Sequence, residues 1–93
     1  ILSIYSINYM NRKERIYKLL INKFQEFSIV IEDNSHLHIG HNNFNGKNET
    51  HIQVLLRNKS SKKFDRLSIH RTINNLLKNE FKEGLHSLEI KIS

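Results

Sequence analysis

Three stretches of the chain alternate apolar and polar residues, which is the pattern of strands with one buried face. The first two are residues 27–31 and 50–56, and the third begins near His86 and ends near Ile92. The first two strands are predicted to pair antiparallel. Their apolar positions are Phe27, Ile29 and Ile31 in the first, Ile52, Val54 and Leu56 in the second, and Leu88, Ile90 and Ile92 in the third.

Two other stretches repeat apolar residues at helical spacing. The first helix is predicted to begin after Asn11, a favourable N-cap with Glu14 three residues later, and to end near Gln25. The second is predicted to begin at about Phe64 and to end before Gly84, a residue well suited to the position beyond a helix. The predicted buried stripes are Ile16, Leu19, Leu20 and Phe24 in the first helix, and Leu67, Ile69, Ile73, Leu76, Leu77 and Phe81 in the second.

The order α-β-β-α-β predicts a single small α+β domain with a three-stranded mixed sheet. A strand–helix–strand crossover within one sheet makes its two strands parallel, and both helices must cover their stripes on the apolar face. With 93 residues, the chain has room for one modest core. The domain is predicted to span residues 11–93. Residues 1–10 are apolar and uncharged, and they are either a disordered precursor remnant or an ordered lead-in.

Composition narrows the function classes. The chain lacks cysteine, which excludes disulfides, a cysteine nucleophile and any thiolate ligand from this chain. It also lacks a Gly-x-Ser-x-Gly motif, a P-loop and a carboxylate pair beside a base, so we predict a protein that is not an enzyme. No apolar run is long enough to span a membrane. The net charge of +6 favours anionic partners, although a bias toward Asn, Lys and Ile explains it equally well.

Three of the six histidines fall within six residues, at His36, His38 and His41, between the first two strands. Imidazole is the commonest metal ligand in proteins, and in an extended segment His36 and His38 point the same way. The spacing matches no helical or finger-type zinc motif. These histidines therefore bind Zn²⁺ or Ni²⁺ by themselves, contribute to another metal site, or are solvated loop residues.

Basic residues cluster around the start of the second predicted helix. On that helix Lys63, Arg66 and His70 are predicted to share one face, with Lys62 and Arg71 beside it. This strip is either a surface for phosphate, DNA or an acidic or glutathione-bearing partner, or the solvated face of an amphipathic helix.

Four segments together resemble the BolA-like protein family in their order and spacing, and the match covers residues 11–92, nearly the whole domain. They are Asp33-Asn34-Ser35-His36-Leu37-His38-Ile39-Gly40-His41, Glu49-Thr50-His51-Ile52, His70-Arg71 and Gly84-Leu85-His86-Ser87-Leu88. The resemblance implies a class II KH-like topology. A conventional KH module clamps nucleic acid with a Gly-x-x-Gly loop, and the glycines of this chain never have that spacing.

The resemblance also implies a function, that of a non-catalytic adaptor in iron–sulfur cluster assembly or trafficking, or in iron regulation. Such an adaptor is a monomer alone and forms a heterodimer with a monothiol glutaredoxin, sharing a bridging [2Fe–2S] cluster with the glutaredoxin and glutathione. The two family ligands align with His38 and His86, while His36 and His41 are expected to have either a supporting role or a solvent-exposed one. No cofactor is expected for the isolated chain. Some family members regulate transcription, so DNA binding is the alternative, and the compartment stays open.

The chain departs from the family pattern at three positions. The usual Phe-x-Gly turn before the second helix is Ser61-Lys62-Lys63, the arginine that often precedes His70 is Ile69, and the aromatic residue that often follows His51 is Ile52. The first two departures lie in the basic region and weaken the expectation of DNA binding. For His86 the competing interpretation is a polar residue closing the sheet edge, and His51 is expected to have a structural role in the hairpin.

Overall fold

The fold is a three-stranded sheet with three helices, in a computed structural model that describes residues 10–34 and 50–93. The helices are α1 (Arg12–Lys23), α2 (Arg66–Leu76) and α3 (Lys78–Lys82). The strands are β1 (Phe27–Asp33), β2 (His51–Asn58) and β3 (Ser87–Ile92). Within these two ranges, each helix is too short or too polar to cross a bilayer.

The sheet has the order β1-β2-β3, with β1 antiparallel to β2 and β2 parallel to β3. The predicted mixed sheet is therefore confirmed. The register pairs Ile31 with Val54 and Val54 with Ile90, so the apolar positions of the three strands lie side by side on one face. Because β1 runs against the other two strands, its C-terminal end lies beside the N-terminal ends of β2 and β3.

The core lies between this apolar face and the helices. Its buried members are Ile16, Leu20, Ile29, Ile31, Ile52, Val54, Leu56, Ile69, Ile73, Leu77 and Leu85. The predicted burial of three stripe residues is wrong, since Leu19, Leu67 and Phe81 are exposed. Leu67 precedes the buried Ile69 by two residues, which places it on the opposite side of the helix.

Helix α1 begins where the sequence predicts. The Asn11 side chain accepts a hydrogen bond from the backbone N–H of Glu14 at 2.8 Å, as an N-cap residue does. The helix ends at Lys23 rather than near Gln25, and the N–H of Phe24 closes it on the carbonyl of Leu20.

The second predicted helix is two helices, so its prediction as one continuous element is wrong. Asp65 caps α2 by accepting a hydrogen bond from the N–H of Leu67, so the helix begins at Arg66 and not near Phe64. Leu77 then leaves helical geometry, and α3 follows it. No glycine or proline marks this junction, and Leu77 itself is buried in the core. The hydrophobic periodicity therefore continues across the interruption between the two helices.

Gly84, which follows α3 and the capping residue Glu83, has a backbone φ of 119°. We expect Gly84→Ala to lower the free energy of unfolding by about 1–3 kcal/mol, because an L side chain is strained at this φ. A Cβ here would lie 3.6 Å from Arg12 Nη2, an ordinary contact, so the cost comes from the backbone. Urea denaturation measures it. Glu83→Ala is the control, and equal losses in the two variants would contradict the backbone explanation.

Candidate metal-ligating site

Two histidines meet at the end of the sheet where β1 finishes and β2 and β3 begin. The N–H of Asn34 donates to the carbonyl of His51 at 2.8 Å. The carbonyl of Thr50 accepts from the N–H of His86 at 2.8 Å and from that of Ser87 at 3.1 Å. We call Thr50, His51 and His86 the histidine edge. Asn34 and Thr50 also flank residues 35–49, so the segment that contains His36, His38 and His41 is joined to the sheet at this edge.

The imidazoles of His51 and His86 lie beside each other, with ring centroids 6.1 Å apart and ring planes 19° from parallel. The ring of His86 is exposed and that of His51 is half-buried. The arrangement presents one exposed imidazole with a second one at its side.

Thr50 holds both histidines. Its side chain is buried, with 4% of the residue exposed, and its Oγ1 lies 3.0 Å from Nδ1 of His51. The carbonyl of the same residue fixes the backbone at His86, so a single buried residue orients one ring and anchors the other strand.

The structure describes only part of the predicted site. His36, His38 and His41 lie outside the described residues, so the predicted ligand His38 stays a prediction. Within residues 10–34 and 50–93, no group of three or more His, Cys, Asp or Glu side chains is placed to hold a metal ion. His86 lies directly before β3, at the edge where its alternation with Leu88 and Ile90 predicts it.

The nearness of His51 to His86 is the feature that sequence reasoning missed. The expected hairpin role of His51 is present, because its carbonyl pairs with Asn34. Its ring, however, lies against the ring of His86. The signal was available, since parallel pairing of β2 with β3 brings the first residues of both strands to the same end of the sheet.

The members of the predicted basic strip lie on different elements, so the prediction that Lys63, Arg66 and His70 share one helical face is wrong. Because α2 begins at Arg66, Lys62 and Lys63 precede the helix. Lys62 pairs with Glu26 at 3.1 Å, and Arg66 donates to the carbonyl of Ile92 at 2.6 Å while its guanidinium lies over the Phe64 ring.

The remaining members of the strip differ in exposure. Lys63 and Arg71 are exposed, and His70 is half-buried. Ile92 ends β3, so Arg66 lies at the opposite end of the sheet from the histidine edge. The strip and the histidine edge are two separate features.

A buried ion cluster joins α1 to α3. Glu80 accepts hydrogen bonds from Nε of Arg12 at 2.9 Å and from Nε of Arg15 at 2.8 Å, and Arg12 also donates to the carbonyl of Glu83. The hydrogen bond from Arg15, with a second from Arg12, holds the pKa of the Glu80 carboxyl below its usual value, although burial acts in the opposite direction. The backbone carbonyl of Glu80 accepts the N–H of the buried Leu85. The cluster therefore helps to fix the residue that precedes His86.

Comparison with known proteins identifies the class of protein that has this fold and edge. The family model described as BolA-like protein matches residues 20–93, and the chain belongs to this family. The fold is that of solved BolA domains. The BolA domain of SufE1 from Arabidopsis thaliana superposes with a TM-score of 0.71 at 30% identity, covering 90% of this chain and 92% of that one. BolA1 from the same plant gives 0.69 at 30% identity, with 89% and 90% covered. The class II KH-like label stays a prediction.

Curated relatives agree with this assignment. An uncharacterized protein in the cobS 5′ region of Sinorhizobium sp is 36% identical over 83 residues, which are 88% of this chain and 89% of that protein. The UV-induced protein uvi31 of Schizosaccharomyces pombe is 34% identical over 87 residues, with 90% and 85% covered. The chloroplastic protein BOLA1 of Arabidopsis thaliana is 34% identical over 82 residues, 86% of this chain and 51% of that protein.

Proposed function

We propose that this protein is a non-catalytic adaptor that presents the His86 imidazole to an iron of a [2Fe–2S] cluster, shared with a monothiol glutaredoxin and glutathione. The observation that supports this most is the exposed ring of His86 on a backbone anchored by the buried Thr50, at the edge that residues 35–49 join. His38 is the proposed second ligand, with His36 and His41 in supporting roles. Membership of the BolA-like family supports the proposal independently.

The donor chemistry of the chain fits such a cluster. The chain has no cysteine, so it can offer iron only nitrogen or oxygen, and the partner and glutathione must supply the thiolates. Imidazole replaces thiolate on one iron of Rieske-type [2Fe–2S] centres and raises their reduction potential. A protonated imidazole has no lone pair for iron, so cluster binding should weaken in acid.

The test is reconstitution of the cluster with a monothiol glutaredoxin, glutathione, iron and sulfide, followed by visible absorption and circular dichroism. The wild-type chain is expected to change the spectrum of the glutaredoxin cluster, and His86→Ala and His38→Ala are each expected to abolish the change. Val30→Ala is the control, because it shortens an exposed side chain of β1 outside the histidine edge, and it should behave as wild type. His86→Cys should restore a complex with a different spectrum, since a thiolate replaces the imidazole.

Two results would contradict the proposal. One is a wild-type spectrum identical to that of the glutaredoxin alone, and the other is a His86→Ala spectrum identical to that of the wild type. In the first case, titration of the chain with duplex DNA at several salt concentrations would test the basic residues instead, with Arg71→Ala as the variant. We make no second proposal for these residues, because Lys62 and Arg66 are engaged in contacts within the fold.

A further inference from the structure

We propose that His51, held by Thr50, is a positioning residue that keeps the imidazole of His86 in the orientation that ligates iron. The inference rests on the proposed function, because it assigns a second side chain to the same site. In the isolated chain, too, the orientation of the His86 ring depends on the His51 ring, and this dependence is testable without a cluster.

The first support is the exposure of His86. An exposed side chain on a strand end samples several rotamers, and a ligand that must be fixed in one of them binds more weakly. The neighbouring ring of His51, with its centroid 6.1 Å away and its plane nearly parallel, restricts where the His86 ring can turn. This separation lies within the range of interacting aromatic pairs.

The second support is that His51 is itself fixed. Its Nδ1 contacts the hydroxyl of Thr50 at 3.0 Å, and its carbonyl accepts the N–H of Asn34. Thr50 is buried, so this contact is held by the packed end of the sheet. The same residue accepts the N–H of His86 through its carbonyl, so the two rings share one rigid anchor. Metal sites commonly use residues outside the ligand set to orient their ligands, and mutation of such residues typically weakens metal binding about 10–100-fold.

The third support separates positioning from ligation. His51 is half-buried and its Nδ1 is engaged with the Thr50 hydroxyl at 3.0 Å, whereas His86 is exposed. The geometry therefore assigns different tasks to the two histidines.

Three variants test the inference. His51→Ala removes the ring, His51→Phe keeps a ring without nitrogens, and Thr50→Val removes the hydroxyl at nearly constant volume. Val30→Ala, which shortens an exposed side chain of β1, is the control. The readouts are the affinity of the cluster-bound complex with glutaredoxin, the spectrum of that complex at saturating partner, and the χ1 rotamer populations of His86 in the isolated chain from three-bond couplings in nuclear magnetic resonance. The urea midpoint of each variant checks the fold.

His51→Ala should weaken the cluster-bound complex about 10–100-fold and distribute His86 over more χ1 rotamers, while the spectrum at saturation stays that of the wild type. His51→Phe should recover part of the affinity, and Thr50→Val should lie between His51→Ala and the wild type. If His51→Ala leaves the affinity within about twofold of wild type, within the usual context dependence of such effects, or leaves the His86 rotamer populations unchanged, the inference is overturned.

The outcomes also distinguish this inference from the proposed function. A complex that is lost in His86→Ala but unchanged in His51→Ala would overturn the positioning role alone. A changed spectrum at saturation in both His51→Ala and His51→Phe would make His51 a ligand, which also overturns it. If the wild type forms no cluster-bound complex, the proposed function fails. The His86 rotamer populations in the isolated chain then still decide whether His51 orients that ring.

Discussion

Glu80→Gln is expected to lower the free energy of unfolding by about 3–5 kcal/mol, because removing one partner of a buried ion pair leaves the others uncompensated. The variant leaves the buried guanidinium of Arg12 and the half-buried one of Arg15 beside a neutral amide. For a domain of this size each kcal/mol corresponds to about 4–8 °C in Tm, so the midpoint should fall by at least about 12 °C. Urea and thermal denaturation at neutral pH measure both quantities.

The same variant should make stability less dependent on pH in the acid range. The Glu80 pKa is lowered in the folded protein, chiefly by the Arg15 hydrogen bond. A group with a lowered folded pKa contributes its full stability above its unfolded pKa and loses it as the pH falls through the folded pKa. The difference between wild type and Glu80→Gln should therefore be constant near neutrality, shrink below the ordinary glutamate pKa and level off below the lowered one.

Glu89→Gln is the matched control for this experiment. Its carboxylate is exposed and lies 3.7 Å from Nζ of Lys91, so the change should cost less than about 1 kcal/mol. If Glu80→Gln cost no more than Glu89→Gln, the carboxylate of Glu80 would not be holding α1 and α3 together.

Local patterns predicted the sheet and the first helix correctly. The alternation of apolar residues in β1, β2 and β3 follows from the two-residue period of a strand, and the crossover rule gives the parallel pairing of β2 with β3. Asn11 is a cap that acts on the next few residues, so its role is readable without the rest of the fold. Asp65 is an equally local signal for the start of α2, and a helix that begins after Asp65 excludes Lys62 and Lys63.

Features that depend on contacts between distant residues were not predictable in this way. Glu80 bonds to Arg12 and Arg15, which lie 68 and 65 residues away along the chain, and no periodicity reports such a pair. The break at Leu77 leaves the apolar spacing intact. The side-by-side rings of His51 and His86 required the topology and the register to be combined. One half of the predicted ligand pair, His86, lies at a well-defined edge, while His38 falls outside the described residues.

Ile52→Ala should lower the free energy of unfolding by about 3 kcal/mol, within the 2–5 kcal/mol usual for removing a buried isoleucine side chain. Ile52 is 2% exposed in the central strand, directly after His51, and it pairs with Asp33 of β1 and Leu88 of β3. Its neighbours are backbone-bonded strands that cannot collapse freely into the cavity. Ile52→Val should cost about 1 kcal/mol, because one methylene group is lost. Urea denaturation with an unchanged m value would report these differences.

Val30→Ala provides the comparison for Ile52, because Val30 is 49% exposed on the opposite face of the sheet. Its truncation should cost less than about 1 kcal/mol, since little buried area is lost. Equal losses at the two positions would mean that Ile52 does not carry the packing beneath the histidine edge. The hydrogen bonds from His86 and Ser87 to the Thr50 carbonyl do not involve the Ile52 side chain. Folded Ile52→Ala should therefore keep the wild-type cluster spectrum, whereas loss of that spectrum would make core packing, rather than the Thr50 anchor, the main determinant of the orientation of His86.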